Sequence, residues 1–247
     1  MHRSDAPAVV LSPHADDAVL SAWSTLREPG ELIVVDVCVA IPEAGTLGSF
    51  DPLFGVTDSA ALVRDRLVED RDALSRAGRA AVHLDFLDNQ YRDAALTPEA
   101  VRAALDARVP AAASLCAPAG IGRHPDHIAV RDAALSIGRD DGIPVFLYAD
   151  LPYAVQWGWP HWVTGAPPRP HLVPDAIWRD DLQSGGVPYD ELVPEVRALD
   201  RDEIARKLSA LEEYRTQFAA LNAGPLDRLR HPEIIAFELR WRVPPPS

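Results

Sequence analysis

Two short stretches hold the residues best suited to chemistry. In LSPHADDAVLSAW, residues 11–23, an apolar run ends in His14, Asp16 and Asp17 as a helical pattern begins. In AGIGRHPDHIAV, residues 119–130, His124, Asp126 and His127 occupy the equivalent place. Charges beside a buried strand are costly unless a cap, an ion pair or a metal satisfies them. If the first helix begins near Pro13, His14 and Asp17 are i and i+3 and share a face. Asp16 then points about a third of a turn away. His14 and Asp17 can ligate one metal while Asp16 stays free beside it. A third ligand from the second stretch gives two histidines and one carboxylate, the donor set of an open catalytic zinc site. Such an ion lowers the pKa of its water toward ~7 and polarises a carbonyl. A free carboxylate next to that water is a natural general base. His124 and His127 are also i and i+3, so spacing leaves both open as the third ligand. The other one can stabilise an oxyanion, oriented by Asp126. Taken singly, each stretch reads as a capped helix start with acid in its first turn. Their pairing at equivalent places argues for the metal.

The elements that position them alternate. Residues 8–12 and 32–40 read as buried strands, with a helix over 16–27 between them. A turn-rich loop follows at 41–58, then an amphipathic helix over 59–78 ending at Gly78. Residues 81–87 predict a third strand, Thr97-Pro98 opens a helix, and 111–117 a fourth strand. A helix over 125–137 and a strand over 144–149 follow. This alternation predicts βαβ units: an α/β, Rossmann-like three-layer sandwich with a mostly parallel central sheet. Ligands of such sheets bind beyond the carboxyl ends of the strands, where both His/Asp stretches fall. Residues 151–200 hold four of the six tryptophans and little periodicity. They predict an irregular Pro/Trp-rich cover, of the kind that serves as a lid. Residues 201–221 predict a helix and 233–243 a late edge strand. No linker divides the 247 residues, so 1–247 reads as a single domain.

Composition narrows the class. Hydrophobic content of 47% and charged content of 25% are those of an ordinary globular protein. The net charge of −13 argues against nucleic acid and anionic membrane partners. The N-terminus does not read as a signal peptide, which favours the cytoplasm. Cys38 and Cys116 sit in apolar runs and read as reduced core thiols. A homo-oligomer is compatible with these features. His83, His171 and His231 read as edge or surface histidines. Gly120-Ile121-Gly122 does not complete a dinucleotide fingerprint.

SPHADDAVLS and GIGRHPDHIAVRDAAL resemble the two signature motifs of the PIG-L/LmbE-like zinc-dependent N-deacetylases, which hydrolyse acetamido groups of N-acetylglucosamine compounds. Arg66-Leu67-Val68-Glu69 resembles the family's RxxE helix. FLDNQYR at 86–92 resembles the segment that offers an Asp to the sugar. Lys207 and Tyr214-Arg215-Thr216-Gln217 resemble its late helix. The resemblance implies one Zn2+ per chain, or another divalent metal, on His14, Asp17 and His127. It implies Asp16 as base, His124 as partner of the tetrahedral intermediate with Asp126 behind it, and Arg66 and Asp88 against substrate hydroxyls. Tyr153, in an aromatic run, offers a wall for a sugar ring. Ala15 and Ala18 replace the second proline and the glutamate of PHPDDE, a PHxDDA form similar to natural-product tailoring deacetylases. The glutamate's support must then come from another group. Gly122 stands where some sugar-thiol deacetylases carry a tyrosine. The expected activity is metal-dependent removal of an N-acetyl group from an amino sugar or glycoconjugate, in natural-product or sugar-thiol metabolism. The alternatives are an amidase that takes a longer acyl or sugar-thiol conjugate and a non-catalytic sugar-binding protein. A phosphoesterase would call for a second metal and more carboxylates.

Overall fold

A computed structural model describes residues 6–109, 111–217, 229 and 231–245. Seven strands form one sheet in the order β3-β2-β1-β4-β5-β7-β6. β1 (Ala8–Ser12), β2 (Leu32–Asp36), β3 (Ala81–His83), β4 (Ser114–Pro118) and β5 (Val145–Tyr148) are mutually parallel. The short apolar sequences of β1, β2, β4 and β5 are those of strands covered on both faces, whereas β3 at the edge is only partly buried. β6 (Val193–Ala198) and β7 (Phe237–Arg242) add an antiparallel pair beside β5. The predicted α/β class with a mostly parallel sheet is what the chain adopts, with helices on both sides. α3 (Ser59–Arg76) packs with α8 (Arg201–Leu211) in one layer, and α4 (Pro98–Arg108) with α5 (Pro125–Asp141) in another. Thr97 caps α4 through the Ala100 N–H, and Asp200 with Glu203 forms a capping box on α8.

Four expectations change. The predicted 16–27 helix is two pieces, α1 (Asp17–Ser21) and α2 (Trp23–Leu26). The Glu238 carboxylate accepts the Trp23 and Ser24 N–H groups at 3.0 and 2.8 Å and so starts a second helix at Trp23. The predicted edge strand at 233–243 is α9 (Pro232–Ile235) followed by β7, which lies inside the sheet between β5 and β6. The cover over 151–200 is not wholly irregular. It includes α6 (His161–Thr164), α7 (Ala176–Ser184) and the edge strand β6. Trp178 clamps it by edge-to-face contacts with Trp159, Trp162 and Trp241 of β7. Finally, α8 ends at Leu211, short of the predicted 221; residues 218–221 lie outside the described ones.

Both cysteines are free and buried. No described helix is long and apolar enough to cross a membrane.

Candidate metal centre at the sheet edge

The chain leaves β1 through a tight turn. The Ser12 hydroxyl donates to the His14 carbonyl at 2.6 Å and accepts the Ala18 N–H at 3.0 Å. Asp16 holds the N-cap position of α1, yet its side chain makes no capping bond. A capped helix start therefore does not account for this buried carboxylate. Across the edge, β4 leads to α5, with His124 at its N-cap and Pro125 in its first turn. The two distant stretches meet. The rings of His14, His124 and His127 form a triangle with centroids 4.8, 5.1 and 5.3 Å apart.

Hydrogen bonds to one nitrogen of each imidazole define what its other nitrogen can do. His127 Nδ1 lies 2.7 Å from Asp150 Oδ1, an acceptor, so this nitrogen carries the proton. His127 Nε2 is buried, makes no well-formed hydrogen bond and faces Asp17 Oδ2 at 3.3 Å, a nitrogen whose proton a metal ion would replace. His14 Nε2 lies 3.1 Å from Asp126 Oδ2, which leaves Nδ1 facing Asp17 Oδ2, also at 3.3 Å. Ligand atoms of a tetrahedral ion with bonds of about 2.0–2.1 Å stand about 3.3–3.4 Å apart. The two separations from Asp17 Oδ2, to His14 Nδ1 and His127 Nε2, are of that length, and His14, His124 and His127 offer ligand atoms within 4.8 Å of one another, so a divalent metal fits this cluster.

His124 differs. Its Nδ1 accepts the Asp126 N–H at 3.3 Å, so the neutral ring bears its proton on Nε2. Burial, then the neighbouring His14 and His127, lowers its pKa to about 4 and keeps it neutral. With Nδ1 engaged by the Asp126 N–H, this ring presents an N–H at Nε2, whereas His127 has its Nδ1 against Asp150, a difference that spacing could not show. The electrostatics agree. Burial disfavours a charged His127, but the Asp17 charge and the bonds to Asp150 and Asp17 outweigh it and raise the pKa to about 9. His14 is raised against the same burial by Asp126 and Asp17. Both imidazoles sit where positive charge is wanted. Burial, then the Asp17 charge, raises the Asp16 carboxyl above the usual carboxylate range, as suits a proton acceptor.

Two positions differ from the sequence reading. Asp126 was expected behind His124, but its carboxylate turns to His14, the Asn89 N–H (3.0 Å) and Arg92. Only its backbone reaches His124. Asp150, just past β5, was not foreseen. It receives the Ile121 N–H at 2.9 Å and holds His127. Its one sequence signal was an acid at the end of a third strand on the same edge. These two aspartates orient His14 and His127 where no glutamate follows the paired aspartates.

Arg66 of α3, Asp88 and Gln217 line a cleft with His14. Arg66 Nε is buried and unpaired. Asp88 is half-buried, its Oδ1 accepting the Gln90 N–H at 3.0 Å. Tyr153 stands edge-on to His127 at 5.9 Å and is 40% exposed. A Cβ on Gly122 would come within 2.7 Å of the Tyr153 ring, and Gly122 has φ +86°, so glycine lets Tyr153 reach this edge.

The family described as "PIG-L: GlcNAc-PI de-N-acetylase" matches residues 9–137. No curated protein matches the chain. A triple mutant of the deacetylase of the teicoplanin biosynthetic pathway is similar over 96% of this chain and 97% of its own, with 26% identity and a TM-score of 0.69. The A40926 pseudoaglycone deacetylase is similar over 96% of both chains, with 27% identity and a TM-score of 0.67. The N,N'-diacetylchitobiose deacetylase of Pyrococcus horikoshii shares the fold at 15% identity, over 96% of this chain and 84% of its own, with a TM-score of 0.51.

Proposed function

The chain belongs to the PIG-L family, and on that premise we propose that it is a divalent-metal-dependent hydrolase that removes the N-acetyl group of an N-acetylglucosamine-type sugar carried on a larger natural product. The substrate class follows the similarity to the teicoplanin and A40926 deacetylases across nearly the whole chain. The observation that carries the chemistry is the buried, unpartnered His127 Nε2 beside Asp17 Oδ2.

His14, Asp17 and His127 hold the metal, for which zinc suits the donor set. Bound there, it would polarise the acetyl carbonyl and make water more acidic. Asp16 accepts a proton from the attacking water as the new C–O bond forms. His124 Nε2–H donates to the carbonyl oxygen as negative charge gathers on it. Asp16 then returns the proton to the amine nitrogen as the C–N bond breaks. Asp126 and Asp150 position the ligands. Arg66 and Asp88 meet sugar hydroxyls, and Tyr153 offers a face or its hydroxyl to the ring. We read residues 1–247 as one domain that works on such an amino-sugar conjugate in the cytoplasm, a setting that suits two free thiols.

Acetate release from N-acetylglucosaminyl glycoconjugates, measured beside metal content, tests this reading. Asp16→Asn is expected to keep its metal and lose about 10²–10⁴-fold in turnover. His127→Ala is expected to lose metal. A near-normal rate in Asp16→Asn would remove the base assignment. Amino-sugar binding without acetate release would mark a non-catalytic binding protein.

A further inference from the structure

A second set of carboxylates lies away from the cleft and takes no part in this chemistry. Asp36 ends β2 and His83 ends β3, and the two are registered neighbours on parallel strands. Asp70 meets them from α3. The ligand atoms of the three all lie within 4.8 Å of one another. Asp36 is fully buried and no N–H or hydroxyl donor reaches either of its carboxylate oxygens; the Asp70 carboxyl faces it within hydrogen-bonding reach. Asp70 is also buried. Its Oδ1 accepts the Tyr214 hydroxyl at 2.7 Å, while Oδ2 has no partner. Three buried carboxylate oxygens without a donor are rare in folded proteins and call for a proton or a cation. Among the described residues, His83 is the basic side chain within ion-pair distance of Asp36, and none reaches Asp70. Asp16 and Asp17 add negative charge from nearby.

The geometry favours a cation. His83 Nε2 stands 3.4 Å from Asp36 Oδ2, the edge of a tetrahedron with metal bonds of about 2.0–2.1 Å. A neutral imidazole and two carboxylates form a neutral assembly with a divalent ion. The Tyr214 hydroxyl fixes the Asp70 carboxylate and leaves its free oxygen for the ion. His83 is 43% exposed, which gives the ion a path in and leaves room for water to complete its coordination. We propose that Asp36, Asp70 and His83 form a second, structural divalent-cation site, of zinc type, that ties β2 and β3 to α3.

Zinc titration of the chelator-stripped full chain, by calorimetry and by elemental analysis after gel filtration, tests this. The wild type is expected to bind two equivalents. His127→Ala removes the ion at the sheet edge and is expected to keep the other. Asp70→Asn is expected to keep only the ion at the sheet edge. Should that buried change prevent folding, His83→Ala at the half-exposed edge position is the second variant, with at least a tenfold weaker second equivalent. Zinc is also expected to raise the Tm of His127→Ala and to lose that effect when His83→Ala is added. One equivalent in wild type, no zinc on His127→Ala, or a second equivalent that survives His83→Ala would overturn the proposal. A proton shared by Asp36 and Asp70 would then explain the pair.

Discussion

Asp150 does for His127 what Asp126 does for His14. Each binds the ring nitrogen away from the centre and so aims the other nitrogen inward. Losing such a partner typically weakens metal binding by about 10–100-fold. Asp150→Ala is therefore expected to show that loss in a chelator competition, with its fold intact by circular dichroism. Unchanged affinity would mean that packing alone orients His127. The thiols offer a second check at this scale. Burial pushes Cys38 and Cys116 up to about 12, so at pH 8 both stay protonated thiols. Native protein is expected to resist iodoacetamide, with reaction of both thiols on unfolding; rapid native labelling would contradict their burial. Among the site residues, His14, Asp16, Asp17 and the HPDH pair were legible because local spacing puts them at equivalent strand ends. The different surroundings of His124 and His127 were not, because they depend on which ring nitrogen meets Asp150 or the Asp126 N–H. Asp150 itself carries no motif.

At the scale of elements, Glu238 of β7 joins parts that the chain keeps far apart. It receives the N–H groups that begin α2 and the buried Lys207 ammonium of α8 at 2.6 Å. Removing one partner of a fully buried pair leaves the other charge uncompensated, at a cost of about 3–5 kcal/mol. Lys207→Met is expected to cost that much in urea unfolding. Adding Glu238→Gln is expected to recover part of it, because the amide oxygen can still accept from α2. A double variant worse than the single one would show that Glu238 matters mainly to the helix start. The same contact explains why the 16–27 helix breaks at Ala22, since the cause lies more than 200 residues away in sequence. β6 was missed for the opposite reason. VPEVRA is largely exposed and contains a proline, so it lacks the buried alternation that marks a strand. The five parallel strands were legible because they are short, continuous and apolar.

For the molecule as a whole, the last strand ties distant parts together. β7 sits between β5 and β6, and Trp241 joins the tryptophan cluster that holds the cover. A chain ending before residue 232 would lose β7, leave β6 unpaired and strip Lys207 of its partner. Such a truncation is expected to yield no soluble folded protein, whereas the full chain unfolds in one cooperative urea transition. A soluble truncated chain with native circular dichroism would instead make residues 6–217 self-sufficient.

The sheet also ends with care. On one side stands β3, only three residues long. On the other stands β6, where Pro194 lacks an N–H and Glu195 and Arg197 bring opposite charges. Neither border offers a long, flat row of unpaired backbone groups to another molecule. Among the described residues, then, the borders of this sheet give little template for strand-by-strand growth into fibrils, which favours accumulation of the protein at high concentration.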